Sequence, residues 1–76
     1  MNNPRRKSLQ EILEQLNTLR DELETLKDEE QEYYDNMREG IQMSERGEKA
    51  ETAISNLESA MDSIEEAAGY IEEATA

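Results

Sequence analysis

The chain has no cysteine and no histidine among its 76 residues. Without cysteine there is no disulfide and no thiolate chemistry. Without histidine the commonest metal ligand and general base is missing. Tryptophan and phenylalanine are absent too, and the only aromatics are Tyr33, Tyr34 and Tyr70. No apolar run approaches the roughly 20 residues that span a bilayer. Arg5, Arg6 and Lys7 are not followed by an apolar segment, so the N-terminus does not read as a signal peptide. These absences point to a cytoplasmic protein without disulfide, metal or cofactor. A chain this short buries little of its surface and commonly needs a staple. With no staple of its own, it would complete a core most simply by oligomerising.

Basic residues are also scarce. There are 8 against 20 acids, for a net charge of -12. A chain this acidic repels nucleic acid and anionic membrane and attracts basic surfaces. The expected partners are therefore a second copy and a protein, basic in character, with no direct nucleic-acid or membrane binding. High charge with few aromatics also fits disorder, so the apolar periodicity has to decide.

From residue 9 the apolar residues follow a heptad. Position a holds Leu9, Leu16, Leu23, Glu30 and Met37, and position d holds Ile12, Leu19, Leu26 and Tyr33. Leu13 and Tyr34 at e widen the stripe. Ser8 followed by Glu11 has the form of a capping box. The pattern predicts helix one over 8–37, after a basic tail over 1–7. The second half repeats by sevens from Ala50. Position a holds Ala50, Leu57, Ile64 and Ile71, and position d is Ala53, Ala60, Ala67 and Ala74. Ile54, Met61 and Ala68 stand at e. Ser44 is a candidate N-cap, and helix two is expected over 45–74. Gly47 and Gly69 are its weak points. Alanine at d lets a neighbouring backbone approach closely.

The connection over 38–44 is short, and Gly40 within it suits a helix C-cap. Two helices of about 30 residues joined so closely should fold back antiparallel. A single long broken helix is the structural alternative. The fold class expected is all-α: an antiparallel helical hairpin of two long helices, dimerising into a four-helix bundle or coiled coil. An a/d/e stripe is broader than two helices can cover. The expected dimer core is Leu9, Ile12, Leu16, Leu19, Leu23, Leu26, Leu57, Ile64 and Ile71.

Charge is unevenly spread. Residues 8–37 hold ten acids and two bases, 38–49 hold three of each, and 50–76 hold seven acids and no base. Glu51, Glu58, Glu65 and Glu72 share position b, roughly 10 Å apart along one face. Asp62, Glu66 and Glu73 lie beside them. One reading is a solvated face that keeps a bundle soluble. Another is a ladder of carboxylates that imitates a phosphate backbone and fills a nucleic-acid-binding groove. A third is a specific basic partner without mimicry. The mixed-charge connection, with Tyr34, Arg38 and Arg46, is a second candidate surface.

Catalytic patterns do not emerge. There is no Glu-x-x-His pair for a di-metal bundle, no calcium loop and no glycine-rich phosphate loop. Serine and threonine have no base beside them, so the chain does not read as an enzyme. Glu30, at an a position, reads as a device for register or partner choice. Tyr33, Tyr34 and Met37 read as a core plug at the hairpin tip.

Asp28-Glu-Glu-Gln-Glu-Tyr-Tyr-Asp-Asn-Met37, Ser44-Glu-Arg-Gly-Glu-Lys-Ala50 and Ala53-Ile-Ser-Asn-Leu-Glu-Ser-Ala60 resemble a family of short acidic hairpin proteins from Gram-positive bacteria and their phages. Members of that family have Pro-Glu-Asn-Leu-Gln after the Met, where this chain has Arg38-Glu-Gly-Ile-Gln42. The resemblance implies a helical hairpin and a phage or mobile-element setting. By analogy with other small acidic phage proteins, it implies an inhibitor of a host protein. The alternative is a purely structural coiled-coil component whose only partner is itself.

Overall fold

Asn2 is extended, and its Oδ1 accepts the Arg5 backbone N–H at 2.9 Å. That contact satisfies one of the free donors of a helix start. Pro4 follows in the first turn, where a missing N–H leaves nothing unpaired. In the computed structural model, which describes all 76 residues, helix α1 therefore runs Asn3–Asp35. A one-turn helix, α2, covers Glu39–Gln42, and α3 covers Glu45–Thr75. Helices α1 and α3 pack side by side along their length in a rod 58 by 15 by 13 Å. The hairpin holds, and the single broken helix does not.

Helix one begins five residues before the expected start, so most of the basic tail is helical. Ser8 is not its cap. The Ser8 hydroxyl donates to the Pro4 carbonyl at 3.1 Å, one turn back, a bond that serine commonly makes inside a helix. Helix α1 also ends before Met37. Asn36 and Met37 donate backbone N–H groups to Glu32 and Tyr34 carbonyls, and the Gln42 side-chain amide donates to the Tyr34 carbonyl at 3.0 Å.

Gly40 is no C-cap. It lies within α2, and no glycine has a positive φ. The glycine that matters is Gly47. A Cβ there would stand 2.0 Å from the Gln42 carbonyl oxygen and 2.6 Å from the Gln42 Cα. Only a glycine lets α2 fold down onto the first turn of α3. Ser44 occupies the N-cap position of α3, but its hydroxyl donates to the Ile41 carbonyl rather than capping. Glu45 and Glu48 in that first turn suit the positive end of the helix dipole.

The seam inside the hairpin is an a/e seam. The buried apolar residues are Leu13, Ala50, Ile54, Met61 and Ala68, and all but Ala50 are at e. The a residues Leu9, Leu16, Leu23, Leu57, Ile64 and Ile71 are half-buried. The d residues Ile12, Leu19, Leu26 and Tyr33 are exposed. The seam within one chain thus leaves out the d row, which the sequence assigns to the core of a dimer. Ala60 is half-buried and Ala67 exposed, so the close approach falls at Ala50 and Ala68.

Candidate functional site

Rows d and b lie on opposite sides of the a/e seam, each about 80° from its centre at 100° per residue. In an antiparallel pair the d rows of both helices turn to the same side, and the b rows to the other. The side-chain contacts follow this rule. Tyr33 and Arg46, both at d, meet on one side: Arg46 Nε donates to the Tyr33 hydroxyl at 2.8 Å, and its guanidinium lies 5.6 Å from the ring centre. On the other side e residues of α1 reach b residues of α3. Arg20 pairs with Glu65, and the Tyr34 hydroxyl donates to Glu51. The hairpin therefore has an apolar face and an acidic face.

The apolar face sets Ile12, Leu19, Leu26 and Tyr33 of α1 beside Ala53, Ala60, Ala67 and Ala74 of α3. The α3 residues next outward, Asn56, Ser63 and Tyr70, are uncharged.

The acidic face holds Glu51, Glu58, Glu65 and Glu72 in one column, with Asp62, Glu66 and Glu73 around its far side, all exposed. The column is not uniformly free. Arg20 Nε holds Glu65, and its guanidinium also lies 3.5 Å from Asp21 and from Glu24. Hydrogen bonding to Glu65, then its charge, holds the Arg20 proton more tightly than in a free guanidinium. Glu51 does the same for the Tyr34 hydroxyl, whose pKa lies above its ordinary value of 10.0, chiefly through that hydrogen bond. Glu58 and Glu72 alternate with these two. A shallow groove of about 230 Å³ at mid-length is lined by Arg20, Lys27, Glu58, Met61, Asp62 and Glu65.

Arg20 and Lys27 were not singled out in the sequence, although a signal was there. They sit seven residues apart at e, as Glu58 and Glu65 sit seven apart at b. Their stems cover the seam while their charged ends leave it, which is how an e row of Leu13, Arg20, Lys27 and Tyr34 can close a core. Lys27 ends 3.6 Å from Asp28. Lys49 pairs with Glu45 one turn back, in the open.

The tip is the third surface. Tyr33, Asn36, Met37, Arg38, Ile41 and Arg46 line a depression of about 340 Å³. The structure brings Arg38 and Arg46 together here. Tyr34 is directed away, towards Glu51 on the acidic face. Tyr33 is exposed, with Arg46 over its ring, rather than plugging the core. Glu30 is half-buried. No three acids gather closely enough to hold a metal ion. No helix is long and apolar enough to cross a membrane.

Comparison of the chain with family models, with curated proteins and with solved structures finds no match.

Proposed function

We propose that this hairpin is a non-catalytic binding module. It pairs with a second copy through its apolar face and presents the acidic face of α3 to a basic protein surface. The supporting observation is the sorting of the two faces. Leucines and alanines line one side, and a column of carboxylates lines the other. A hairpin with five buried apolar side chains has little core of its own. A second copy over the apolar side supplies the rest of a four-helix bundle and leaves both acidic columns outside. The basic surface is most simply that of a nucleic-acid-binding protein, since a column of carboxylates presents a row of negative charge as a phosphate backbone does. An inhibitor in a phage or mobile-element setting, as the family resemblance implies, fits this reading.

One observation favours a second reading, a self-assembling component with no other partner. Two of the four column carboxylates, Glu51 and Glu65, are already engaged within the chain. The two readings separate in one experiment. Immobilised protein is exposed to bacterial lysate, with and without duplex DNA, beside a variant in which Glu51, Glu58, Glu65 and Glu72 are all Gln. The proposal expects a stoichiometric nucleic-acid-binding protein that DNA displaces and the variant fails to retain. Capture that neither DNA nor the variant alters would refute the acidic-face mechanism. Self-association with nothing else bound would leave the structural reading.

A further inference from the structure

The exposed stripe on α1 and the alanines on α3 are not only adjacent. They are complementary in size and matched in height. Arg20 meets Glu65 and Tyr34 meets Glu51, so residues level with each other across the hairpin have numbers summing to about 85. By that rule Leu19 is level with residue 66, one short of Ala67, and Leu26 with residue 59, one short of Ala60. Each large side chain stands level with a small one.

Resting on the dimeric reading above, we infer that two hairpins stack face to face about a two-fold axis parallel to the rod. Each α1 then lies over the partner's α3, and both tips are at the same end. In this arrangement heights are preserved between copies. The leucines of one α1 pack over the partner's alanines, and the exchange is reciprocal, as an isologous contact requires. Large faces small in every layer, which gives even spacing between helices.

The other face-to-face arrangement, with the axis across the rod, does this badly. It lays α1 on α1 and α3 on α3. Leucines then oppose leucines and alanines oppose alanines, although axis separation depends on the side chains at the contact. It also sets Glu22 and Glu29 of both copies along one seam with no cation between them. In the parallel-axis dimer those two acids flank the uncharged Asn56 and Ser63 of the partner α3. At the tip, each Tyr33 reaches the level of the partner's Arg46 and so keeps a cation beside its ring.

The surface is large enough. Ile12, Leu19, Leu26 and Tyr33 are 42, 49, 53 and 42 % exposed. Covered along its whole length, a face 58 by 15 Å would amount to on the order of 900 Å², against roughly 800 Å² per partner in a standard interface. The acidic columns stay on the far sides. Their separation across two stacked hairpins exceeds a Debye length of about 8–10 Å, so the charge of one copy does not prevent the other from docking.

The test uses the absence of cysteine. Gly40 lies at the tip with open space where a Cβ would go, so Gly40→Cys accepts a single spin label on the intact chain. Pulsed dipolar spectroscopy then measures the distance between the two tips, and light scattering on the same sample gives the mass. The inference expects a dimer mass and a tip-to-tip distance within roughly 30 Å, the width of a four-helix bundle with axes about 10 Å apart plus label linkers. A dimer mass with a distance near the rod length of 58 Å overturns this arrangement and leaves the dimer standing. A monomer mass with full helicity overturns both.

Discussion

The two long faces of this hairpin use the same heptad for opposite ends. On the acidic side, the residues bordering the seam are polar and reach across the chain itself: Arg20 to Glu65, Tyr34 to Glu51. That face is finished within one molecule. On the apolar side, Ile12, Leu19 and Leu26 stay 42, 49 and 53 % exposed beside the short alanines of α3. Only Tyr33, near the tip, has a partner, in Arg46. Rows that are neighbours on one helix thus divide into a seam that folds the chain and a surface that stays open to solvent.

The largest effects fall in the seam. Leu13 is 5 % exposed and is the one leucine buried within the chain. Leu13→Ala should cost about 2–4 kcal/mol in chemical denaturation, through lost contacts and a residual cavity. With the proposed dimer, Leu26→Ala, on the open face, should cost an amount that shrinks as the protein is diluted, because only the dimer would bury that side chain. Equal losses from the two at every concentration would erase the distinction between the faces.

Two substitutions of small residues sharpen the comparison further. Ala68→Leu forces bulk into the a/e seam and should destabilise by about 1–3 kcal/mol. Ala67→Leu, one position earlier and exposed, should leave the isolated hairpin intact and alter only the proposed pairing. At the tip, Gly47→Ala drives a Cβ into the Gln42 backbone, where nothing flexible can give way. A loss of about 1–3 kcal/mol is expected, read as a lower melting temperature with increased hydrogen exchange in Glu39–Gln42. An unchanged melting temperature would mean that α2 does not rest on α3.

The acidic face should respond weakly. Arg20→Met keeps the apolar stem over the seam and removes the ion pair. Its effect should be small and should vanish at high salt, as for other exposed pairs. The Tyr34 contact gives the smallest and most local signal. The hydrogen bond to Glu51 favours the protonated phenol, so Tyr34 gives up its proton above the ordinary value of 10.0. The contribution of the contact is complete below pH 10 and is lost as pH rises through the raised pKa. An ultraviolet titration of the phenols should show a late-ionising component that Glu51→Gln moves to lower pH.

The helical hairpin was legible in the heptads, as were the length of α3 and the outward position of its acids. The phase of the seam was not. Rows d, a and e are adjacent on each helix and, the e row of α1 aside, largely apolar, so periodicity alone cannot say which pair faces the chain's other helix and which is left over. The e row of α1 misled because Arg20 and Lys27 look like solvated charges, whereas their stems lie over the core. The start of α1 was hidden for a different reason. Ser8 and Glu11 have the spacing of a cap, but Asn2 and Pro4 make an earlier start possible, and nothing between them and Ser8 breaks a helix. Gly47 looked like a weakness in α3. The need for it comes from α2, an element too short for periodicity to reveal.

In the proposed dimer the d stripe of α1 is completed by a second copy. The direct test is the mass of the protein in dilute solution against that of a variant with Leu19→Glu and Leu26→Glu, by light scattering across a range of concentrations. The wild type should weigh twice its 8.8 kDa and the variant should fall to a single chain, since two carboxylates would lose their water in the interface. A wild type of single-chain mass with full helicity at every concentration, or a variant that still pairs, would contradict it.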